Sequence, residues 1–504
     1  MSMPAESAKL QANLQQLLQG FAEAPALAVK DIASDSRQLS SGDVFLAVQG
    51  ATSHGLDYAD QALAAGVAAI VWDQDTGHVN QVQTTVPMIP VAGLAGHLGE
   101  IANRWFEYPS ARLKVVGVTG TNGKTTVAFL IAQCLNFLER RAAYVGTLGA
   151  ATDDLDASAG MTTPACVDLH RRLAQFVDTG ATHVALEVSS HGIEQSRVDG
   201  VAFDAAIFTN LSRDHIDYHG DMQAYAESKA RLFLENELQH RVINVDDEFG
   251  QVLAARCSEN VVRVSGGTDF AADGRLFLSV ISATANAHGM QVAIESSWGD
   301  AQLQLPLVGD FNVVNAACVL ALLLCWEITL PEACRALTEV AAPPGRMQRV
   351  TSSSGPATYV DYAHTPGGLE AALEALRLHT EGQLWCVFGC GGDRDQGKRP
   401  MMGQTAARLA DRPIVTSDNP RSEPPGKIIA EILAGMPDDT KAIEDRASAI
   451  AYAIAQAADD DLVLIAGKGH ETHQQIGRQR LPFSDYQVAR AILEAGSADS
   501  DSQT

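Results

Sequence analysis

Basic residues are scarce in this sequence. Its 504 residues hold 36 Lys and Arg against 61 Asp and Glu, a formal net charge of −25. Neutralising a nucleic-acid backbone takes a basic face, so this balance excludes a general DNA- or RNA-binding protein. An anionic small molecule needs only a local cluster of Arg and Lys and stays open. Paired cysteines are missing too. The eight cysteines contain no CxxC, and no His stands at zinc spacing from Cys386 and Cys390. Reduced thiols in a cytosolic protein are expected, not a disulfide framework or a zinc knuckle. Long apolar runs are absent: the longest, Ala316–Trp326, is too short to span a bilayer. The opening MSMPAESAKL lacks a signal-peptide pattern, so a cytoplasmic protein without membrane insertion is expected. No fixed-period repeat and no NKxD guanine signature occur.

What is present is an ordinary globular composition, 46% hydrophobic and 19% charged, in a length that suggests about three domains. Residues 1–111 hold short strands at Val44–Val48, Ala68–Trp72 and Met88–Val91 and an apolar helix ending near Trp105, after which EYPSAR breaks the pattern. Residues 112–343 open on a strand, Leu113–Val118, and continue through apolar strands at Thr182–Val188, Phe203–Thr209 and Val242–Val245 to helical runs at Asn312–Trp326 and Pro331–Val340. AAPPGR, at 341–346, reads as a linker. Residues 344–495 alternate strands near Thr358–Val360, Leu384–Phe388, Ile414–Thr416 and Leu462–Ala466 with helical stretches. That alternation predicts an α/β domain with a mostly parallel sheet, whose ligands bind beyond the carboxyl ends of the strands. The last residues, 496–504, read as a polar disordered tail.

The strongest single signal is VVGVTGTNGKTT, an apolar strand running into a glycine loop and a helix from Lys124. Backbone N–H groups of Gly120, Thr121, Asn122 and Gly123 in such a loop cradle phosphates, and the helix N-terminus adds partial positive charge. Lys124 would neutralise the outer phosphates, and the Thr125 hydroxyl, next to Thr126, would hold Mg²⁺. Val118 stands where the longer form of this loop has its first glycine.

Two further strands end in chemistry. THVALEVSSHG delivers Glu187, Ser189, Ser190 and His191; FDAAIFTNLSRDHIDYHG delivers Asp214, His215, Asp217 and His219. Carboxylate and imidazole at that sheet edge suit a divalent cation bridging phosphates, above all Glu187 and His215. Lys229, in AYAESKARLF, reads as one solvated cation on an amphipathic helix. TSDNPRSEPPGK, at 416–427, has a loop's composition, yet it follows a strand. GCGGDRDQGK also follows a strand, but Arg394 occupies the last glycine of GxGxxG, which disfavours a dinucleotide site.

GTNGKTT, EVSSHG, SRDHIDYHGD, GDFNVVNA, PPGRMQ, VDYAHTP, GCGGDRDQGKRP, DNPR and GKGHE occur in this order, and with DSR at Asp35–Arg37 the match runs to Glu471. Together they resemble the Mur ligases, in particular the type that adds the third peptide residue of the cell-wall precursor. The resemblance implies three domains: an N-terminal α/β sugar-nucleotide domain, a central P-loop ATPase-like domain and a C-terminal Rossmann-like domain. It implies ATP-dependent amide formation through an acyl phosphate, in a monomer acting on small molecules. Gly120–Thr126, with Asn315, Arg346 and Asp361, are matched to ATP. Thr125, Glu187, His215 and Lys229 are matched to Mg²⁺, with Lys229 as a carboxylated lysine; Lys124, Lys229, His215 and Glu187 are the implied catalytic set. Ser34, Ser36, Ala51, Thr52, Ser53, Thr162, Thr163, Ser189, Gln195 and Arg197 are matched to the UDP-linked precursor.

Arg394, Asp418, Asn419, Pro420, Arg421, Gly467 and Glu471 are matched to the incoming amino acid. Meso-diaminopimelate carries a second amino-carboxylate at its far end, whereas lysine carries only an ammonium. A guanidinium fork suits that carboxylate, and Arg421 and Arg394 supply two. Glu471 would take the distal ammonium. The alternatives are a lysine-adding relative, a folylpolyglutamate synthase-like ligase, which should lack DNPR and the sugar-nucleotide domain, and a nucleotide-dependent switch, which needs no amino-acid pocket.

Overall fold

The computed structural model describes residues 13–50, 53–76, 82–152, 161–267, 275–286, 288–351 and 355–501. Its contacts cluster into two compact units, one of Met1–Lys124, Glu139–Arg241 and Ala255–Asn260, the other of Thr125–Leu138, Val242–Ala254 and Val261–Thr504.

The first unit begins with a parallel four-stranded sheet in the order Ile32–Ala33, Val44–Ala47, Ala69–Asp73, Met88–Val91. Alternate side chains leave on opposite faces. Val44, Leu46, Val71 and Ile89 enter one core, while Phe45, Ala47 and Ile70 enter another. The larger of these cores takes in helix Leu94–Trp105 and also Cys166 and Val167 of helix Cys166–Asp178. Arg171 of that second helix pairs with Asp31 and donates to the Ile32 carbonyl (2.6 Å). EYPSAR, where the sequence pattern breaks, holds a 3-10 turn, Pro109–Arg112.

In the same unit, strand Lys114–Thr119 pairs in parallel with Ala205–Phe208 on one side and His183–Glu187 on the other. His183–Glu187 pairs in parallel with Ala142–Gly146, whose far edge carries the short antiparallel strand Gly149–Ala151. Val115, Val116, Val118, Val184, Leu186, Ile207 and Phe208 are fully buried. Burial on both faces explains why these strands read as continuous apolar runs instead of alternating. Because the strands are parallel, the loops after Thr119, Glu187 and Phe208 emerge at one edge.

The second unit holds strands Val261–Ser265, Leu276–Asn286, Gly289–Ser296 and Ala301–Leu305, the last three antiparallel. Helix Asp310–Cys325 is almost wholly buried, which suits its uninterrupted apolar sequence. A six-stranded sheet then follows the order Gln348–Arg349, Ala357–Asp361, Leu462–Ala466, Leu384–Phe388, Arg412–Val415, Lys441–Ala442. All but the first pairing are parallel. Leu384, Cys386 and Phe388 join one core with helices Pro366–Arg377, Lys398–Leu409 and Pro425–Leu433. Trp385 and Val387 join the opposite core with helices Arg446–Gln456 and Asp485–Asp501. Helices on both faces of a parallel sheet are what the alternation predicted.

The tail expected from residue 496 is not a separate segment. Helix Asp485–Asp501 runs through it, since AILEAGSADS contains no proline to stop a helix begun upstream. No helix among the described residues is long and apolar enough to cross a membrane. None of the eight cysteines, all among the described residues, is in a disulfide.

Candidate active site

The phosphate-type loop is shaped by two glycines in left-handed regions, Gly120 at φ 148° and Gly123 at φ 83°. A side chain on Gly120 would strike the Thr209 hydroxyl at 1.9 Å, so only glycine fits between the two loops. Thr209 Oγ1 donates to the Asn122 carbonyl (2.6 Å), and the Asn122 N–H donates to Asn210 Oδ1 (3.0 Å). Thr121 Oγ1 lies 3.2 Å from the Tyr225 hydroxyl. These bonds hold the loop open at the strand ends. Lys124 Nζ donates to the carbonyls of Gly120 (2.9 Å) and Thr121 (2.8 Å). Helix Lys124–Phe137 starts at the lysine, as the sequence predicts, with Thr125 and Thr126 buried in its first turn.

Lys229 corrects the reading of a solvated cation. It is 1% exposed on helix Met222–Leu234, with Nζ 2.8 Å from the Gly120 carbonyl and 4.4 Å from the Tyr225 ring centre. Amphipathic spacing identified the helix but not which face carried the lysine inward. Burial, with the Lys124 charge adding to it, pushes the Lys229 amine well below the usual lysine range, against the opposing pull of Asp214.

Glu187 is fully buried at the end of its strand. It accepts hydrogen bonds from the Tyr144 hydroxyl, the Thr147 N–H (3.0 Å) and Thr147 Oγ1 (3.2 Å). His215 stands nearby in sequence to Asp214, 3.4 Å from its carboxylate, at a left-handed φ of 55°. It belongs to an aromatic cluster with His191 (ring centres 4.8 Å apart) and Tyr225 (6.0 Å). Burial lowers the His191 and His219 pKa values. Among the described residues, no three His, Cys, Asp or Glu side chains converge as a metal-holding group. The expected set therefore depends on Lys229 becoming an oxygen donor.

Of the residues matched to the precursor, Thr162, Thr163, Ser189, Gln195 and Arg197 are joined by hydrogen bonds in the first unit. Thr163 Oγ1 lies 3.1 Å from Ser189 Oγ and donates to the Glu187 carbonyl, while Thr162 and Thr147 hydroxyls lie 3.0 Å apart. Arg197 donates to the Thr163 carbonyl (2.9 Å) and to Gln195. Ser36 donates to Gln61 (2.9 Å), Ser34 is half-buried, and Ser53 Oγ lies 3.3 Å from the Tyr58 hydroxyl. Ala51 and Thr52 lie outside the described residues.

In the second unit, Asp361 ends its strand and accepts from the N–H groups of Met347 (2.7 Å) and Ala363 (2.8 Å). Burial raises its pKa, and Arg346 opposes. Arg346 stacks 4.6 Å from the Tyr362 ring centre, and His470 lies 5.4 Å from that ring. Burial, reinforced by Arg346, pushes His470 down to about 4. Tyr362 and His470 were not singled out from the sequence, although both lie inside quoted motifs. Asn315 is buried, donating to Asn312 Oδ1 (3.2 Å).

The loops matched to the incoming amino acid are strapped together. The Gly392 N–H donates to the Asn419 carbonyl (2.9 Å), and Arg421 Nη1 donates to the Gly392 carbonyl (2.8 Å). Arg421 itself sits at φ 49° and is bridged to hairpin His473–Ile476/Gln479–Pro482: its N–H donates to the Gln475 carbonyl (3.1 Å) and its carbonyl accepts from the Gly477 N–H (2.7 Å). Pro420 lies against Gly392, where a side chain would meet the proline carbonyl at 1.9 Å. Gly467 (φ 117°) leaves room for the Asp418 carboxylate, 2.7 Å from where its side chain would stand. Asn419 Nδ2 donates to Glu471 Oε2 (2.7 Å), and Arg394 is exposed on the neighbouring loop. Three fully buried cations beside the loops were missed: Arg399, paired with Glu423 (2.7 Å) and Glu431 (2.5 Å), Lys468, paired with Glu471 (2.9 Å), and Arg446, paired with Asp485 (2.7 Å).

Three family models match the chain in order: the Mur ligase family catalytic domain over residues 28–106, the Mur ligase middle domain over 118–323 and the Mur ligase glutamate ligase domain over 345–469. A protein of Alkalilimnicola ehrlichii named UDP-N-acetylmuramoyl-L-alanyl-D-glutamate–2,6-diaminopimelate ligase is 44% identical over 93% of this chain and 96% of its own length. Its namesake from Ectopseudomonas mendocina is 44% identical over 96% of this chain and 99% of its own. A solved structure of the same name is 33% identical, covers 97% of this chain and 100% of its own, and superposes with a TM-score of 0.70. The Thermotoga maritima MurF ligase, solved with ADP, shares the fold at 18% identity and a TM-score of 0.65, covering 94% of this chain and 99% of its own. The three matched models and the near full-length relatives agree with the strand-end loops: this chain belongs to the Mur ligase family.

Proposed function

We propose that the protein joins meso-2,6-diaminopimelate to UDP-N-acetylmuramoyl-L-alanyl-D-glutamate with hydrolysis of ATP, the reaction its relatives are named for. It would act in the cytoplasm, as a monomer. The observation that carries the amino-acid assignment is the joining of DNPR to GKGHE, Asn419 to Glu471 at 2.7 Å, beside Arg421. Glu471 offers an anion to the distal ammonium; Arg421 and Arg394 offer guanidinium forks to the distal carboxylate. A lysine-adding ligase would have no distal carboxylate for Arg421 to meet.

On this reading Gly120–Lys124 grip the ATP phosphates, and Asn315, Arg346 and Asp361 contact the nucleotide. Thr162, Thr163, Ser189, Gln195 and Arg197 hold the precursor, with Ser34, Ser36 and the segment at Ser53. The precursor's terminal carboxylate attacks the γ-phosphate, breaking its bond to ADP and giving an acyl phosphate; the amine of diaminopimelate then displaces phosphate from that acyl phosphate and loses a proton, forming the amide. Lysine 229 supports the reading through its lowered pKa. A buried neutral amine takes up carbon dioxide and sheds a proton, becoming a carbamate anion. That anion, the Glu187 carboxylate, His215 and the Thr125 hydroxyl are largely oxygen donors of the kind that would hold magnesium. The ion supplies neutralisation of phosphate charge as two anions meet.

ADP release measured against each substrate in turn tests the function. The expected result is turnover only when ATP, the UDP-linked dipeptide and diaminopimelate are all present. ADP release that needs one of the two acceptors, or neither, overturns the ligase reading.

A further inference from the structure

The GKGHE segment carries a lysine with no solvent access. Lys468 is fully buried, with Nζ 2.9 Å from Glu471 Oε2 and 3.0 Å from Asn419 Oδ1. Asn419 Nδ2 reaches the same Glu471 oxygen, and Asn419 Oδ1 also accepts from the Gln475 N–H (2.8 Å). Oε2 of Glu471 is thus held by two donors. No donor among the described residues reaches Oε1, and the side chain keeps 23% of its surface exposed.

A lysine in this position cannot itself meet a substrate, since both its bonds point into the protein and its surface is covered. Its cost is desolvation, which a charged partner offsets. The partner gains in return. Burial alone would favour neutral Glu471, and the Lys468 ammonium is the largest influence keeping it ionised. A neutral carboxyl would present a proton donor to an incoming ammonium; an ionised one presents an acceptor.

We propose that Lys468 is a positioning residue for the incoming amino acid, holding Glu471 ionised with Oε2 engaged and Oε1 left to accept the substrate's distal ammonium. This rests on the proposed diaminopimelate site. The other charged or titratable groups facing Glu471 are His470 and His473 on its own segment, Tyr362 from the loop after strand Ala357–Asp361, and Arg446 from helix Arg446–Gln456. Arg446 is committed elsewhere, bidentate to Asp485 at 2.7 Å, and His470 is held neutral by burial. Neither replaces the Lys468 charge.

The test is a double-mutant cycle on the full-length enzyme, Lys468→Met and Glu471→Gln singly and together, with KM measured for each substrate. K468M is expected to raise the diaminopimelate KM at least about tenfold at pH 7, the equivalent of about 1.4 kcal/mol, with the ATP and precursor KM values moving less than about twofold. Added to E471Q, K468M should change the diaminopimelate KM little, because its target is already gone. The ratio of K468M to wild-type KM should fall as pH rises, since a carboxyl with a raised pKa regains its charge there. Lys468→Gln, which keeps a polar group in the buried slot, covers the case in which the methionine variant fails to fold, and the same KM shift is expected. An unchanged diaminopimelate KM, multiplicative effects in the cycle, or all three KM values rising together overturns the role of Lys468. Wild-type enzyme that does not depend on diaminopimelate at all overturns the amino-acid assignment as well.

Discussion

Lys124 and Lys229 share one acceptor: both ammonium nitrogens lie within 2.9 Å of the Gly120 carbonyl oxygen, Lys124 at 2.9 Å and Lys229 at 2.8 Å. Two cations on one carbonyl is costly unless one gives up its proton, and the buried Lys229 is the one whose pKa is driven down. Lys124→Ala and Lys229→Ala are each expected to abolish ADP release while far-UV circular dichroism stays that of the wild type. Normal turnover in either variant removes that lysine from the chemistry.

The same burial predicts a pH dependence of stability. Unfolded, Lys229 binds its proton up to the ordinary lysine pKa of 10.5; folded, it loses the proton at a lower pH. Between those two pKa values the unfolded chain binds the extra proton, so stability rises with pH across that window. In carbon-dioxide-free buffer, wild type should therefore gain urea resistance relative to Lys229→Met as the pH rises towards the ordinary lysine pKa of 10.5. Parallel curves for the two proteins would show that Lys229 keeps its proton in the folded state.

Arg421 carries two separable loads. Its guanidinium faces the strapped loops, and its backbone sits in the left-handed region that favours glycine. Arg421→Ala and Arg421→Gly should both raise the diaminopimelate KM far more than the ATP KM. The glycine variant should be the more stable by about 1 kcal/mol in urea melts, because it is spared the left-handed penalty. Equal loss for both substrates in both variants would mean that the loop had collapsed.

Arg446 and Asp485 form a fully buried bidentate pair, and Arg446 also donates to the carbonyls of Ala466 (2.9 Å) and Ser417 (3.3 Å). These carbonyls immediately precede Gly467 and Asp418. Asp485→Asn leaves a guanidinium buried without its counter-charge and should cost about 3–5 kcal/mol, read as a lowered urea midpoint. A loss below about 1 kcal/mol would indicate that water reaches the pair.

Much of the molecule was legible in the chain. Strands such as Leu384–Phe388 and Leu462–Ala466 lie where the apolar runs put them, because a strand buried on both faces has no choice of composition. Gly120 and Gly123 announced the phosphate-type loop: a side chain on Gly120 would strike Thr209, and the φ of 83° at Gly123 favours glycine. DNPR stood out as a loop at a strand end, and topology carries such loops to a ligand edge, whereas GKGHE was marked only by the family resemblance.

What sequence alone could not decide is which side of an element a charge faces and which distant charge it meets. Lys229 read as solvated because one lysine on a helix usually is; only packing against Tyr225 and the Gly120 loop buries it. Lys468, Arg399 and Arg446 were passed over for the same reason. Their partners lie at chain separations of 3 to 49 residues for Lys468, 24 and 32 for Arg399, and 39 for Arg446. Local pattern records propensity and periodicity, but the charge state of a side chain depends on its desolvation and its neighbours, and both are set only when the tertiary structure closes around it.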